Sequence, residues 1–162
     1  MEASASGFGY PAHMRLAEQE LRTYFVTFST AGRRRVFQVE ANAALMMGTI
    51  EGYRNQGHFL LHAFVVMPDH VHVLITPAPD VSLEKAIQFI KGGFSFRLKS
   101  RFSVWERGHF DKRVPDKAAY EACIRYIHRN PVEAQIVSTE MEYMFSSAAC
   151  QLNTDPMPGW FR

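Results

Sequence analysis

Apolar positions fall along this chain in two alternating periods. Thr23 to Thr30 (TYFVTFST) alternates aromatic or β-branched residues with smaller ones, the period of a half-buried strand, and Ala31-Gly32 ends the run. From Phe37 to Arg54, Val39, Ala43, Met46, Met47, Ile50 and Tyr53 recur at spacings of three and four, which predicts a helix that Gly57 follows. Phe59 to Met67 (FLLHAFVVM) and His70 to Thr76 (HVHVLIT) are apolar, β-branched runs separated by Pro68-Asp69, and predict an antiparallel strand pair joined by a tight turn.

Ser82 opens a second helix as its N-cap, with Glu84 in the first turn and Leu83, Ile87, Ile90, Phe94 and Leu98 as its core face; Gly92-Gly93 weakens its middle. A short strand is expected at Phe110 to Val114. Asp116, preceded by Pro115, caps a third helix that Asn130-Pro131 is expected to stop. The order strand, helix, strand, strand, helix, strand, helix predicts an α+β fold. It matches a ferredoxin-like antiparallel sheet, the split βαβ arrangement, with helices on one face and a C-terminal helix carrying a tyrosine. One domain is expected over residues 1–162, with 1–21 as a flexible arm and 132–162 as a C-terminal extension.

Composition narrows the class. With 162 residues, 47% apolar and 21% charged, the chain has material for one core. It contains no apolar run of membrane-spanning length and no signal-like opening, so a cytoplasmic protein without membrane association is expected. Two cysteines, Cys123 and Cys150, are too few for a disulfide framework or a four-thiolate zinc site. The total charge of +2 hides an asymmetry. Ser82 to Lys117 carries nine Lys and Arg against four Asp and Glu, and Arg33, Arg34 and Arg35 form a second basic cluster. A polyanionic partner fits that distribution.

The residues with chemical potential lie in two places. On a strand, His70 and His72 point to the same side while Val71 and Val73 point to the other, so two imidazoles stand together and are able to grip one divalent cation. On the third helix, at about 100° per residue, Tyr120, Cys123, Ile124 and Ile127 form the core stripe, which makes Tyr120 a packing residue. Tyr126 and Asn130 share a different, accessible face, beside the small Ala119 and Ala122. Combined, the two places suggest a His pair and an amide oxygen holding Mg²⁺ or Mn²⁺ on a phosphodiester while the Tyr126 hydroxyl attacks phosphorus. Asp69 could orient a ligand, although an Asp after Pro is a common turn former.

At "VVMPDHVHVLI" (Val65 to Ile75) and "YIHRNPVEAQIV" (Tyr126 to Val137), the sequence resembles the single-tyrosine HUH transposases, most closely the REP-associated tyrosine transposases. The "YFVTFST" strand, "WERGHFDKRV" and "YMFSSA" support the resemblance, which spans about Arg22 to Ala149. It implies a metal-dependent endonuclease and strand transferase acting on single-stranded DNA hairpins formed by palindromic repeats, through a 5′-phosphotyrosine link. His70 and His72 match the family's metal ligands and Tyr126 its nucleophile. Asn130 falls where the family places a polar third ligand. Arg33, Arg34, Arg35, Lys91, Arg97, Lys99 and Arg101 are expected to contact the DNA backbone on charge grounds. The family includes both monomers and homodimers. Three other readings compete: a histidine-triad nucleotide hydrolase, which wants a third His where Leu74 stands; a non-catalytic DNA-hairpin-binding protein derived from a transposase; and a structural domain in which these residues are simply packed, against which Tyr126 and Asn130 sit off the core stripe.

Overall fold

The computed structural model describes residues 20–150, 152 and 154–161; the expected N-terminal arm lies, but for its last two residues, outside them. Strands β1 (Tyr24–Ser29), β2 (Phe59–Val66), β3 (His70–Pro77) and β4 (Phe110–Arg113) form one antiparallel sheet in the order β2-β3-β1-β4. The helices are α1 (Glu40–Asn55), α2 (Leu83–Leu98) and α3 (Lys117–Glu133). Element order and sheet topology are those expected of the split βαβ arrangement, with β1 threaded between β3 and β4.

Strand alternation divides the core between the two faces of the sheet. Val26, Phe28, Phe64, Val66, Val71, Val73 and Ile75 pack with Ala43, Met46 and Ile50 of α1 and with Ile87, Ile90 and Phe94 of α2. Ala63, Val65, Met67 and Leu74 point the other way and meet Tyr120 and Ile127 of α3. So α1 and α2 share one face, and α3 packs on the other together with Tyr143 and Phe161 of the C-terminal extension. His70 and His72 have the parity of Leu74 and therefore belong to the α3 side.

The helix caps follow the expected chemistry. The Ser82 hydroxyl accepts from the Lys85 N–H at 3.1 Å, and the Asp116 carboxylate accepts from the Ala119 N–H at 2.8 Å. Within α2, Gly93 has a purpose: a Cβ there would meet the Tyr53 ring at 2.5 Å, whereas one at Gly92 would meet nothing within 4 Å. The α1–α2 contact is thus close because Gly93 leaves room for Tyr53.

Two boundaries differ from expectation. Helix α1 starts at Glu40, not Phe37: Val36–Gln38 make a single 3₁₀ turn and Val39 is an extended N-cap, 55% exposed and off the core face. Phe37 is instead held in the core against Phe94 and Trp105, and its N–H donates to the Pro68 carbonyl at 3.0 Å. That anchor fixes the backbone before the helix can begin. Helix α3 also continues through Asn130-Pro131 to Glu133. Proline in a last turn forfeits a single N–H, and the Pro131 ring is buried. The stop is made later, where Gln135 adopts φ 58° and the N–H groups of Gln135 and Ile136 close onto the carbonyls of Val132 and Pro131.

After α3 the chain runs along the outer edge of β2. The Val66 N–H donates to Phe145 O, Ser147 N–H to Phe64 O and Asp155 N–H to Leu61 O, while Arg54 grips the Asp155 carboxylate at 2.6 and 3.1 Å. The C-terminal extension thereby covers a sheet edge that would otherwise present unpaired backbone.

Candidate active site

The turn between β2 and β3 is closed by the Met67 N–H on His70 O at 2.8 Å, which sets the first residue of β3 at the end of the sheet. From there His70 and His72 project side by side, ring centroids 4.8 Å apart. Each ring is held through Nδ1. His70 Nδ1 lies 2.7 Å from Asp69 Oδ1, and His72 Nδ1 lies 2.7 Å from the Thr27 hydroxyl, its direct cross-strand partner on β1. Both imidazoles are thus oriented through Nδ1, which leaves Nε2 as the outward nitrogen, the arrangement that metal-ligating histidines use.

Burial pushes the His72 pKa down to about 3, helped by the nearby charges of His70 and Arg33, so the ring is neutral at physiological pH. Burial alone would raise the Asp69 pKa. The hydrogen bond from His70 and the Arg33 guanidinium outweigh it and hold the carboxyl below its usual range. Arg33 Nε reaches Asp69 Oδ2 at 3.1 Å and its Nη1 donates to the Ser29 hydroxyl at 2.9 Å. The residue sits at φ 55°, directly after Gly32 at φ 62°, and this left-handed pair turns the Arg33 side chain back toward the end of β3.

Helix α3 brings the second group of residues across the same face. Tyr120 and Ile127 are buried against β2 and β3, as the stripe predicts, and Tyr126 is left 55% exposed. The Tyr126 ring meets His72 edge-on at 5.4 Å and Phe25 edge-on at 5.7 Å, while Phe25 stacks on His72 at 5.3 Å. One turn further on, Asn130 Nδ2 lies 3.4 Å from His72 Nε2. A half-turn of that amide presents Oδ1 in the same place, a neutral oxygen donor beside the neutral His72 ring.

Among the described residues, no group of three or more His, Cys, Asp or Glu side chains is arranged to hold a metal. Two imidazoles and an amide are therefore the donor set on offer. It suits a divalent cation that keeps positions open for substrate oxygens.

The family model of IS200-like transposases matches residues 19–130, which is more than half of the chain and includes every residue of this constellation. The chain belongs to the IS200-like transposase family. Its fold is similar to that of a REP-associated tyrosine transposase solved in complex with a REP hairpin, at 22% identity and TM-score 0.71, over 86% of each chain. It is also similar to a crystal structure of a Deinococcus radiodurans R1 protein assigned as a transposase, at 21% identity and TM-score 0.51, over 68% of this chain and 91% of that one. A search of curated proteins gives no significant match. No helix among the described residues of this transposase is long and apolar enough to cross a membrane.

The basic residues singled out from the sequence differ in how far their side chains are already engaged. Arg33 is engaged with Asp69 beside the His pair. Arg34 donates to the carbonyls of Ala31 and Ser103, and Lys91 donates to those of Glu106 and Gly108 at 3.0 and 2.8 Å, so both tie loops together. Arg97 lies over the Tyr53 ring at 5.5 Å, on the α2 side of the sheet. Arg35, Lys99 and Arg101 are exposed. The segment after α2 returns to the His70 end of the sheet, where Ala31 N–H bonds Val104 O and Glu106 N–H bonds Ser29 O. Thr27 and Phe25 were not singled out by sequence reasoning, whereas Asp69 was weighed as an orienting residue beside its role as a turn former, and it does contact His70 Nδ1. Thr27 could have been found only from the β1–β3 register, which composition and periodicity do not encode.

Proposed function

We propose that this transposase is a metal-dependent single-stranded DNA endonuclease and strand transferase that acts on hairpins formed by palindromic repeats, with Tyr126 as nucleophile and a 5′-phosphotyrosine intermediate. The observation that carries the reading is the meeting of Tyr126 with His72 across two separate elements, with Asn130 on the same Nε2. A phenol next to a prospective cation site suits nucleophilic attack on a phosphodiester, which supports this reading.

His70, His72 and Asn130 would hold Mg²⁺ or Mn²⁺, with Asp69 and Thr27 fixing the two imidazoles from behind. The bound cation would supply Lewis-acid stabilisation of the non-bridging phosphate oxygens. Tyr126 forms the new O–P bond as the P–O3′ bond breaks. The phenolic proton is lost and the 3′ oxygen takes one up. The phosphodiester energy is kept in the tyrosyl link, so a second 3′-hydroxyl regenerates the phenol and joins the strands without ATP. Phe25 walls the Tyr126 and His72 rings on the sheet side, which restricts the orientations open to the nucleophile.

A denaturing-gel assay tests the reading. Labelled single-stranded hairpins from repeats flanking the gene are incubated with the protein in Mg²⁺, Mn²⁺ or chelator. A metal-dependent covalent adduct that vanishes in Tyr126→Phe is the expected outcome. Tight hairpin binding without any adduct would replace this reading by a non-catalytic hairpin-binding protein.

A further inference from the structure

Helix α3 carries polar side chains on two flanks. At about 100° per residue, Tyr126 and His128 lie on opposite sides of Ile127, which is fully buried against the sheet. Tyr126 and Asn130 share the flank that faces His72, and His128 is on the other, beside the C-terminal extension. Among the described residues, two side-chain hydrogen bonds tie α3 to other elements, one on each flank. Asn130 Nδ2 lies 3.4 Å from His72 Nε2, and His128 Nε2 lies 2.8 Å from the Ser147 hydroxyl. The first is long and the second short, so the firm attachment of the helix is on the side away from the tyrosine.

Ser147 is itself fixed to the sheet. Its N–H donates to Phe64 O at 3.0 Å, its hydroxyl donates to the same carbonyl at 3.2 Å, and that hydroxyl accepts from the Phe64 N–H at 3.0 Å. A hydroxyl has one proton and two lone pairs. With Phe64 satisfied, one lone pair is left, and His128 donates to it from Nε2. The neighbouring Ser146 pairs with Val65, which is also the direct partner of His72. His72, Val65 and Ser146 thus form one row across the sheet, and the anchor of His128 stands one residue beyond that row.

Tyr126 is 55% exposed and meets Phe25 and His72 through ring edges, contacts that do not fix the rotation of the helix about its axis. A phenol oxygen stands roughly 8 Å from the axis of its helix, so a rotation of about 10° carries it more than about 1 Å. A displacement of that size costs up to about 100-fold in rate when a nucleophile must meet phosphorus in line.

We infer that the His128–Ser147 hydrogen bond is a positioning device for the nucleophile: it sets the rotation of α3 on the sheet, and with it the place of Tyr126 relative to His72. The inference rests on the strand-transfer reading and deepens it by adding two positioning residues that act through the helix. It also gives the C-terminal extension a part in the chemistry, because the segment that covers the β2 edge seats the helix from which the tyrosine projects.

The test uses two polar replacements of different reach. His128→Gln keeps an N–H donor at nearly the distance of Nε2, and His128→Asn is too short. Adduct formation is followed in single turnover at saturating hairpin and Mn²⁺, hairpin affinity by anisotropy in chelator, and folding by thermal melting. His128→Asn and Ser147→Ala should each slow adduct formation by about 10- to 100-fold with hairpin affinity unchanged, and the double variant should be no slower than either alone. His128→Gln should restore most of the rate. In metal-free protein without DNA, the Tyr126 ring-proton resonances, which the His72 and Phe25 rings shift, should move in His128→Asn and keep their positions in His128→Gln. A wild-type rate in His128→Asn, losses that multiply in the double variant, a Gln variant as slow as the Asn one, or unmoved Tyr126 resonances overturn the inference. Loss of folding in both His128→Asn and Ser147→Ala overturns it as well, since the pair would then serve stability alone. A wild-type protein that forms no adduct overturns the strand-transfer reading and the role in chemistry with it, while the resonances still decide whether His128 sets the position of Tyr126.

Discussion

His72 and Thr27 are direct partners in the β1–β3 ladder, and the Thr27 hydroxyl lies 2.7 Å from His72 Nδ1. With the ring buried and neutral, that hydroxyl decides which nitrogen carries the proton: an Nδ1–H donated to Thr27 leaves Nε2 as the lone pair facing Asn130. Thr27→Val should leave a buried ring nitrogen unpaired and lower stability by about 1–3 kcal/mol. It should also weaken Mn²⁺ binding by roughly 10- to 100-fold, the usual cost of losing a group behind a metal ligand. Calorimetric Mn²⁺ titration of wild type and variant measures this. Equal affinities would mean that Thr27 does not orient His72.

The two tyrosines of α3 should behave oppositely. Tyr126 is exposed at the His pair and Tyr120 is buried beneath Phe161 and His62. Tyr126→Phe is expected to keep the melting temperature and lose the DNA adduct, and Tyr120→Phe to keep the adduct and shift the melting temperature. A reversed pattern would assign the nucleophile to the wrong face of the helix.

Three buried histidines should make folding pH-dependent. Burial lowers the pKa of His62, His72 and His128, the second to about 3. An unfolded histidine titrates near 6.5, so below that pH the unfolded chain binds more protons than the folded one. Their full contribution is therefore present above about pH 6.5 and is lost as pH falls toward the folded values, by up to about 1.4 kcal/mol per unit for each group. Asp69 and Asp155 are held below their ordinary range and lose their contribution only at more acidic pH, below about 4. Melting in chelator at pH 7.5, 6 and 5 should show a steady fall in wild type and a shallower one in His62→Gln. A flat profile over that window would contradict the buried neutral rings.

Gly92 and Gly93 look alike in the sequence and differ in surroundings. A methyl at Gly92 meets open space and should raise stability by about 0.5–1 kcal/mol through helix propensity. At Gly93 it displaces the Tyr53 ring, which stacks on Phe89 and lies under Arg97, and overpacking of that kind costs about 1–3 kcal/mol. Urea denaturation of the two alanine variants should separate them by at least about 1 kcal/mol, with Gly92→Ala the more stable.

Lys91 and Arg101 should part in salt titrations of hairpin binding. Lys91 is committed to the carbonyls of Glu106 and Gly108, and Arg101 is exposed. Arg101→Gln should make the slope of log affinity against log salt shallower by roughly 0.7–0.9, one phosphate contact. Lys91→Gln should leave the slope unchanged and lower the melting temperature. A Lys91 variant with the shallower slope would place its ammonium on DNA.

Local periodicity and spacing were sufficient for much of this protein. Alternation placed β1, apolar β-branched runs placed β2 and β3, and the three- and four-residue spacings placed the helices, because those patterns record which side of an element is dry; β4 was expected at its place although its four residues are all exposed. The same rule put His70 and His72 on one side of a strand and separated Tyr126 from the packing stripe of Tyr120. Where two local signals competed, the long-range contact decided. Phe37 carries a helical spacing, but its burial against Trp105 holds the preceding turn in place; Asn130-Pro131 is a stop signal, but α3 passes it because a last-turn proline forfeits little and its ring is buried.

What the sequence by itself determined is the set of elements and the side of each that carries chemistry, since both depend on residues a few positions apart. Only the tertiary structure decided that α3 crosses the sheet opposite α1 and α2, that Tyr126 and Asn130 arrive at His72, and that Thr27 and Asp69 stand behind the imidazoles. Those relations join residues dozens of positions apart, and they follow from strand register and from which face each helix must bury, quantities that exist only once the sheet has formed.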